Sequence, residues 1–104
     1  MQGNGVLSEI RTRLQKAFGD RLCGVVLYGS RARGDADPDS DLDLMVLLDG
    51  SVKLGRDLET IIEALYPVQL EIERPIHALP VSSSSFEAGL YGIYRNAKRE
   101  GIFL

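Results

Sequence analysis

Apolar side chains fall at Leu7, Ile10, Leu14 and Phe18, and their spacing of three or four predicts an amphipathic helix over Val6–Phe18. Arg11, Arg13 and Lys16 lie mostly on the opposite face and read as solvated charges. Met1–Gly5 reads as a frayed end, and Gly19-Asp20 as the helix stop. Leu22–Tyr28 is apolar on both faces, which predicts an internal strand. The aliphatic run Leu42–Leu48 predicts a second strand, closed by Asp49-Gly50. Leu54, Leu58, Ile61, Ile62 and Leu65 then restore a helical stripe. Pro67 removes a helical hydrogen bond and introduces a kink. Beyond it, Val68–Glu73 fits either a strand, with Glu71 and Glu73 on one face, or a continuation of the helix through Leu65, Val68 and Ile72. The preferred reading is a kinked helix ending near Glu73, followed by a third strand over Ile76–Val81. Ser84-Ser85-Phe86-Glu87 has the capping-box pattern and opens a last helix, with Phe86, Leu90, Ile93 and Tyr94 toward the core. Gly101 ends that helix and leaves Ile102-Phe103-Leu104 as an edge strand or a hydrophobic tail.

These elements fit one α+β domain spanning residues 1–104, a small mixed sheet flanked by helices in a two-layer α/β arrangement. The net charge of −3 argues against a general nucleic-acid-coating surface, which would be basic. It leaves room for a local basic patch at Arg31 and Arg33. Cys23 is the only cysteine, so no intramolecular disulfide forms, and a small buried thiol is the expected state. No run approaches the about 18 apolar residues of a membrane span, and the polar, Gly-rich start does not read as a signal peptide. The expected location is the cytoplasm.

The chemistry concentrates between the first two predicted strands. Asp41 and Asp43 flank Leu42 at the head of the second strand, so they share a face, about 6–7 Å apart at the backbone. Asp37-Pro38-Asp39-Ser40 reads as a polar turn, which accounts for Asp39. It does not account for Asp43, which interrupts an aliphatic run. Two like charges this close raise one another's proton affinity and oppose folding. A hard divalent cation reverses that effect, and Mg²⁺ favours one or two carboxylates plus phosphate oxygens. Gly29-Ser30 follows the first strand. Glycine admits close backbone approach and φ > 0, consecutive N–H groups in such a turn attract anions, and Ser30 adds a hydroxyl. Arg31 and Arg33 add guanidinium groups suited to phosphate oxygens. No Gly-Lys-Ser/Thr follows, so this is not a Walker A loop, and Gly-x-Gly-x-x-Gly is absent.

The string Gly29-Ser30-Arg31-Ala32-Arg33-Gly34 through Ser40-Asp41-Leu42-Asp43-Leu44 resembles the signature of the DNA-polymerase-β-like nucleotidyltransferase superfamily, and the short chain resembles its minimal (MNT or MntA-like) branch. The resemblance implies a polymerase-β-like palm fold. It places the β- and γ-phosphates of a nucleoside triphosphate on Gly29 and Ser30, with Arg31 or Arg33 adding charge, and Mg²⁺ (or Mn²⁺) on Asp41 and Asp43. The implied reaction is transfer of a nucleoside monophosphate from an NTP, ATP being the usual donor, to an acceptor hydroxyl.

Such sites usually carry a third carboxylate on a neighbouring strand, which helps hold metal and acts as base. Here the third predicted strand offers Pro75 and His77 at that place. Glu71 or Glu73 serves if Val68–Glu73 is a strand, and distance from Asp43 favours Glu73 as the catalytic candidate. His77 has a proton affinity suited to a general base, although a lone histidine in an apolar segment is more often structural. The resemblance also implies a small helical HEPN-type partner protein, paired as toxin to this chain's antitoxin and modified by AMP transfer, typically on a tyrosine. Larger members add an acceptor domain for which this chain leaves no residues, and a homo-oligomer is a further expectation. The competing reading is a non-catalytic, antitoxin-like nucleotide- or protein-binding module of the same fold. A transferase acting on small molecules such as aminoglycosides ranks third.

Overall fold

The computed structural model describes residues 2–29 and 41–104. A helix, α1 (Gln2–Phe18), passes through a short 3-10 turn at Gly19–Arg21 into strand β1 (Leu22–Tyr28). Strand β2 (Leu42–Leu48), helix α2 (Leu54–Glu71) and strand β3 (Ile76–Ser82) follow. Helices α3 (Ser83–Glu87) and α4 (Gly92–Glu100) precede a two-residue strand, β4 (Ile102–Phe103). The sheet order is β3-β2-β1-β4; β1 runs antiparallel to β2 and to β4, while β2 and β3 are parallel. This is the mixed, helix-flanked α+β sheet that the patterning predicts, and Ile102-Phe103 is its edge strand.

Alternation along β2 divides the core. Leu42, Leu44, Val46 and Leu48 point to one face and pack with Val25 and Leu27 of β1 against Ile10 and Leu14 of α1 and Ile61, Leu65 and Val68 of α2. Met45 and Leu47 point to the other face and meet Val26, Val81, Phe86 and Ala97. Phe86 stacks edge-on with Phe103 at 6.2 Å between ring centroids, which ties β4 to this second cluster. Gly101 turns the chain from α4 into β4: a Cβ there would collide with the Ala97 carbonyl and lie 2.6 Å from Val26 Cγ1.

Several local expectations are corrected. α1 begins at Gln2 rather than after a frayed pentapeptide. The buried face of α2 is Asp57, Ile61, Leu65 and Val68, whereas Leu54 and Ile62 are exposed. The expected last helix is two helices, broken by a turn at Ala88-Gly89; Ser82 caps α3 without a side-chain bond, and Leu90 and Ile93 are exposed. Cys23 is exposed, because the β1–β2 register slips between Leu22 and Gly24 and turns it outward. α2 runs through Pro67 and ends at Glu71, two residues short of the expected end.

The buried acid of α2 has a structural partner. Asp57 accepts from Arg21 Nη1 at 3.0 Å and Nη2 at 3.1 Å, and from the Lys53 backbone N–H at 2.9 Å. The bond from the Arg21 guanidinium holds the Asp57 carboxyl below its usual range, against the opposing effect of burial. Arg21→Ala strands that carboxylate, and an expected loss of about 2 kcal/mol follows, below the usual figure for a broken buried pair because the guanidinium is itself half in water. A folded-state proton affinity lower than the unfolded one contributes stability above the unfolded pKa, which is lost as pH falls through the folded value. Urea denaturation between pH 7 and pH 3 is therefore expected to show a shallower acid limb in Arg21→Ala than in the parent. Gly101→Ala is expected to cost about 1–3 kcal/mol by overpacking, read in the same denaturation assay.

Candidate functional site

At one end of the sheet β1 leaves while β2 and β3 enter, and that end carries the polar groups. Asp43 shares its face of β2 with Met45 and Leu47 but lies beyond the apolar cluster. Its cross-strand partners are Tyr28 on β1 and His77 on β3. Asp41 sits one residue before β2, and its Oδ2 lies 2.9 Å from His77 Nε2. The two carboxylates expected on one face are thus linked through the imidazole, in contact with Asp41 and in register with Asp43.

Gly29, the first residue after β1, has φ +81°, and a Cβ placed on it would stand 2.8 Å from Asp43 Oδ2. The turn backbone therefore comes as close to the carboxylate as only glycine permits. Ser30, Arg31 and Arg33, the other expected phosphate contacts, lie outside the described residues.

Burial raises the proton affinity of Asp43 above the usual carboxylate range; His77 opposes the rise and the Asp41 charge adds to it. Tyr28 is raised as well, by burial first and then by Asp43. Asp41 and Asp43 thus bring together negative charge that a bound cation would relieve. Among the described residues no group of three Asp, Glu, His or Cys side chains is placed to hold a metal ion. A cation here would therefore be shared with a substrate, with Asp41, whose Oδ2 is hydrogen-bonded to His77 Nε2 at 2.9 Å, as one donor. Asp43 is the adjacent donor, and phosphate oxygens would fill the shell.

The β3 register follows from its entry. The Gln69 side chain of α2 donates to the Arg74 carbonyl and accepts from the Ile76 N–H, both at 2.9 Å, while the Leu42 N–H donates to the Pro75 carbonyl at 2.9 Å. These bonds start β3 at Ile76 and bring His77 level with Asp43. Glu71 ends α2 and Glu73 lies in the bend before β3, both exposed. The side chain that β3 carries to the aspartates is thus His77. Sequence reasoning saw a lone imidazole there; the sign of its importance was the strand start after Arg74-Pro75.

Beside His77 a groove of about 380 Å³ opens between α2 and β3, lined by Leu58, Ile62, Tyr66 and Ile76 among others. A second hollow, about 270 Å³, lies beside Tyr28 and Gly29 under Ile93 and Asn96 of α4. No helix among the described residues is long and apolar enough to cross a membrane.

Comparison with known proteins agrees with this geometry. The family model described as "Nucleotidyltransferase domain" matches residues 7–103. Three proteins of Methanocaldococcus jannaschii, each named "Putative protein adenylyltransferase", are similar to the chain. MJ0604 is 27% identical over all of this chain and 99% of its own length. MJ1305 is 43% identical over 42% of this chain, and MJ0141 37% identical over 41%. These two alignments span only 30% and 43% of the relatives' own lengths. With the family model covering nearly the whole chain, the chain belongs to the nucleotidyltransferase domain family.

Proposed function

We propose that this protein transfers a nucleoside monophosphate, AMP by preference, from an NTP to a hydroxyl group on a partner protein. The observation that carries the reading is the approach of the Gly29 backbone to the Asp43 carboxylate, with Asp41 on the same face. A glycine turn suited to phosphate and two acidic groups near it are what a metal-bound triphosphate requires.

In this reading Gly29 and Ser30 bind the β- and γ-phosphates through backbone N–H groups and the Ser30 hydroxyl, and Arg31 and Arg33 add charge to the leaving pyrophosphate. Asp41 and Asp43 would hold a divalent ion, Mg²⁺ or Mn²⁺, which when bound neutralises the triphosphate and orients it. The acceptor oxygen forms a bond to the α-phosphorus as the bond from that phosphorus to the bridging oxygen breaks. Pyrophosphate departs with the electron pair. The hydroxyl proton passes to a carboxylate oxygen of Asp43 that the ion leaves free. Glu73 is the alternative base, and Glu73→Gln with full activity removes it from the mechanism.

The printed names of the relatives, as protein adenylyltransferases, support AMP and a protein acceptor. So does the apolar groove beside His77, which suits an aromatic side chain bearing a hydroxyl, such as tyrosine. The exposed apolar line Leu54, Ile62, Tyr66 and Leu70 on α2 supports docking of a helical partner, of HEPN type in a cytoplasmic toxin–antitoxin pair. The second reading, a binding module without transfer, is favoured by one observation, the presence of His77 where β3 would carry a third carboxylate.

With labelled ATP, a divalent ion and the protein encoded beside it, the parent is expected to label that neighbour, and the Asp41→Asn, Asp43→Asn double variant to lose the label. Nucleotide binding with no labelled product selects the second reading. Gly29→Ala is expected to lower transfer about 100-fold through displacement of Asp43, with circular dichroism unchanged; activity near the parent's would remove the turn from the site.

A further inference from the structure

The hollow of about 270 Å³ beside Tyr28 and Gly29 lies on the sheet face that carries Asp43, and the function proposed above leaves it unused. Its far wall is α4. Ile93, Asn96 and Glu100 are spaced by three and four residues, so they share one face of that helix, and all three line the hollow. Folding does not account for this face: Ala97 is the residue that α4 buries, while Ile93 stays 49% exposed at the rim. Both walls are fixed. Ile102 and Phe103 pair with Leu27 and Val26, and the Leu104 N–H donates to the Val25 carbonyl at 2.9 Å, so the end of α4 is tied to β1. Tyr94 packs on Phe86 at 6.2 Å between ring centroids and holds the start of α4. The polar groups are oriented as well. Arginine only donates, so Arg99 Nη2, 2.9 Å from Asn96, takes the amide oxygen and turns the amide NH₂ the other way. The same Nη2 lies 3.6 Å from Glu100 Oε2. Asn96 therefore offers a donor and Glu100 an acceptor, one helical turn apart.

We propose that this hollow receives the nucleobase of the triphosphate, and that Asn96 and Glu100 select adenine. This rests on the nucleotidyltransferase reading above: Gly29 is both a wall of the hollow and the first residue of the turn assigned to phosphate, so one ligand spans the two. The size fits, because pockets for whole small molecules begin at roughly 300 Å³ and only the base has to enter. The lining fits too. A base is a flat apolar body with a polar edge, and here Ile93 and Tyr28 supply apolar surface beside one donor and one acceptor. Adenine carries an amino donor at its 6-position next to a ring nitrogen that accepts. The Asn96 NH₂ suits the ring nitrogen, and the Glu100 carboxylate suits the amino group. Guanine sets a carbonyl oxygen where adenine has the amino group, and a carboxylate repels it.

The test separates base from phosphate. The full chain with Mg²⁺ is titrated calorimetrically with three probes: inorganic tripolyphosphate and the non-hydrolysable analogues of ATP and GTP. The parent is expected to bind the ATP analogue more tightly than either of the others. In the Asn96→Ala, Glu100→Ala double variant the affinity for the ATP analogue is expected to fall about tenfold, the size of one or two lost hydrogen bonds, and the preference over the GTP analogue to disappear. Tripolyphosphate affinity and the thermal midpoint of the free protein are expected to stay at the parent's values, since both side chains are exposed. Ile93→Trp, which fills the hollow without touching either polar group, is expected to reproduce the loss for the nucleotides and again to spare tripolyphosphate. Variants that bind the ATP analogue as the parent does, or a parent that prefers the GTP analogue, overturn this inference and leave the nucleotidyltransferase reading standing. A parent that binds none of the three probes overturns both.

Discussion

The pairing of β2 on both sides is the constraint from which the rest follows. Every residue from Leu44 to Leu48 is buried, and the strand is hydrogen-bonded to an antiparallel neighbour and to a parallel one. A strand so enclosed cannot slip by one residue, because a slip would send Leu44, Val46 and Leu48 to the opposite face and bring Met45 and Leu47 under α1 and α2. Burial thereby fixes the direction of the polar residues at its head. Asp43 is held on the face that α3 and α4 cover only beyond Met45, so its charge is partly desolvated and still open to a ligand. The free energy that fixes this carboxylate is supplied by aliphatic side chains that never touch substrate.

The turn after β1 exploits the same enclosure. Tyr28 is paired with Asp43, and Gly29 must therefore leave the sheet directly over the carboxylate. A chain with a side chain at that point would have to move either the turn or the acid. The positive φ and the 2.8 Å approach are two expressions of one requirement, that backbone donors reach the neighbourhood of the acid with nothing between them. Such closeness would be repulsive for a second anion. It becomes favourable when a cation stands between carboxylate and phosphate, which is the arrangement the proposed nucleotidyl transfer would need.

Much of this was legible in the chain. Leu22–Tyr28 and Leu42–Leu48 are strands at the expected limits, since apolar runs bounded by polar turns leave little freedom. Glycine 29 and the aspartate pair were legible because Asp43 violates its own aliphatic context. What escaped depends on long-range pairing or small angular shifts. Leu54 and Ile62 lie on the margin of the α2 stripe, where a modest rotation decides exposure, and Asp57 displaced them from the buried face because Arg21, distant in sequence, neutralises it. Cys23 turned outward at a slip in register that no local signal announces. The break in the last helix lies at Ala88-Gly89, within a pattern whose apolar spacing reads as continuous.

His77 belongs to the same class of hidden information, and shows why a motif search is an incomplete account of a site. Asp41 and Asp43 lie two apart in sequence, so their spacing alone declares them. The third position is supplied by a parallel neighbour that returns only after the whole of α2, and its identity depends on where β3 begins. A start one residue later or earlier would place Ala78 or Ile76 opposite Asp43 and leave the acids with no polar neighbour on that strand. The Gln69 amide sets the start by occupying both the carbonyl of Arg74 and the N–H of Ile76. A residue with no part in the proposed chemistry thus decides which side chain joins the carboxylates.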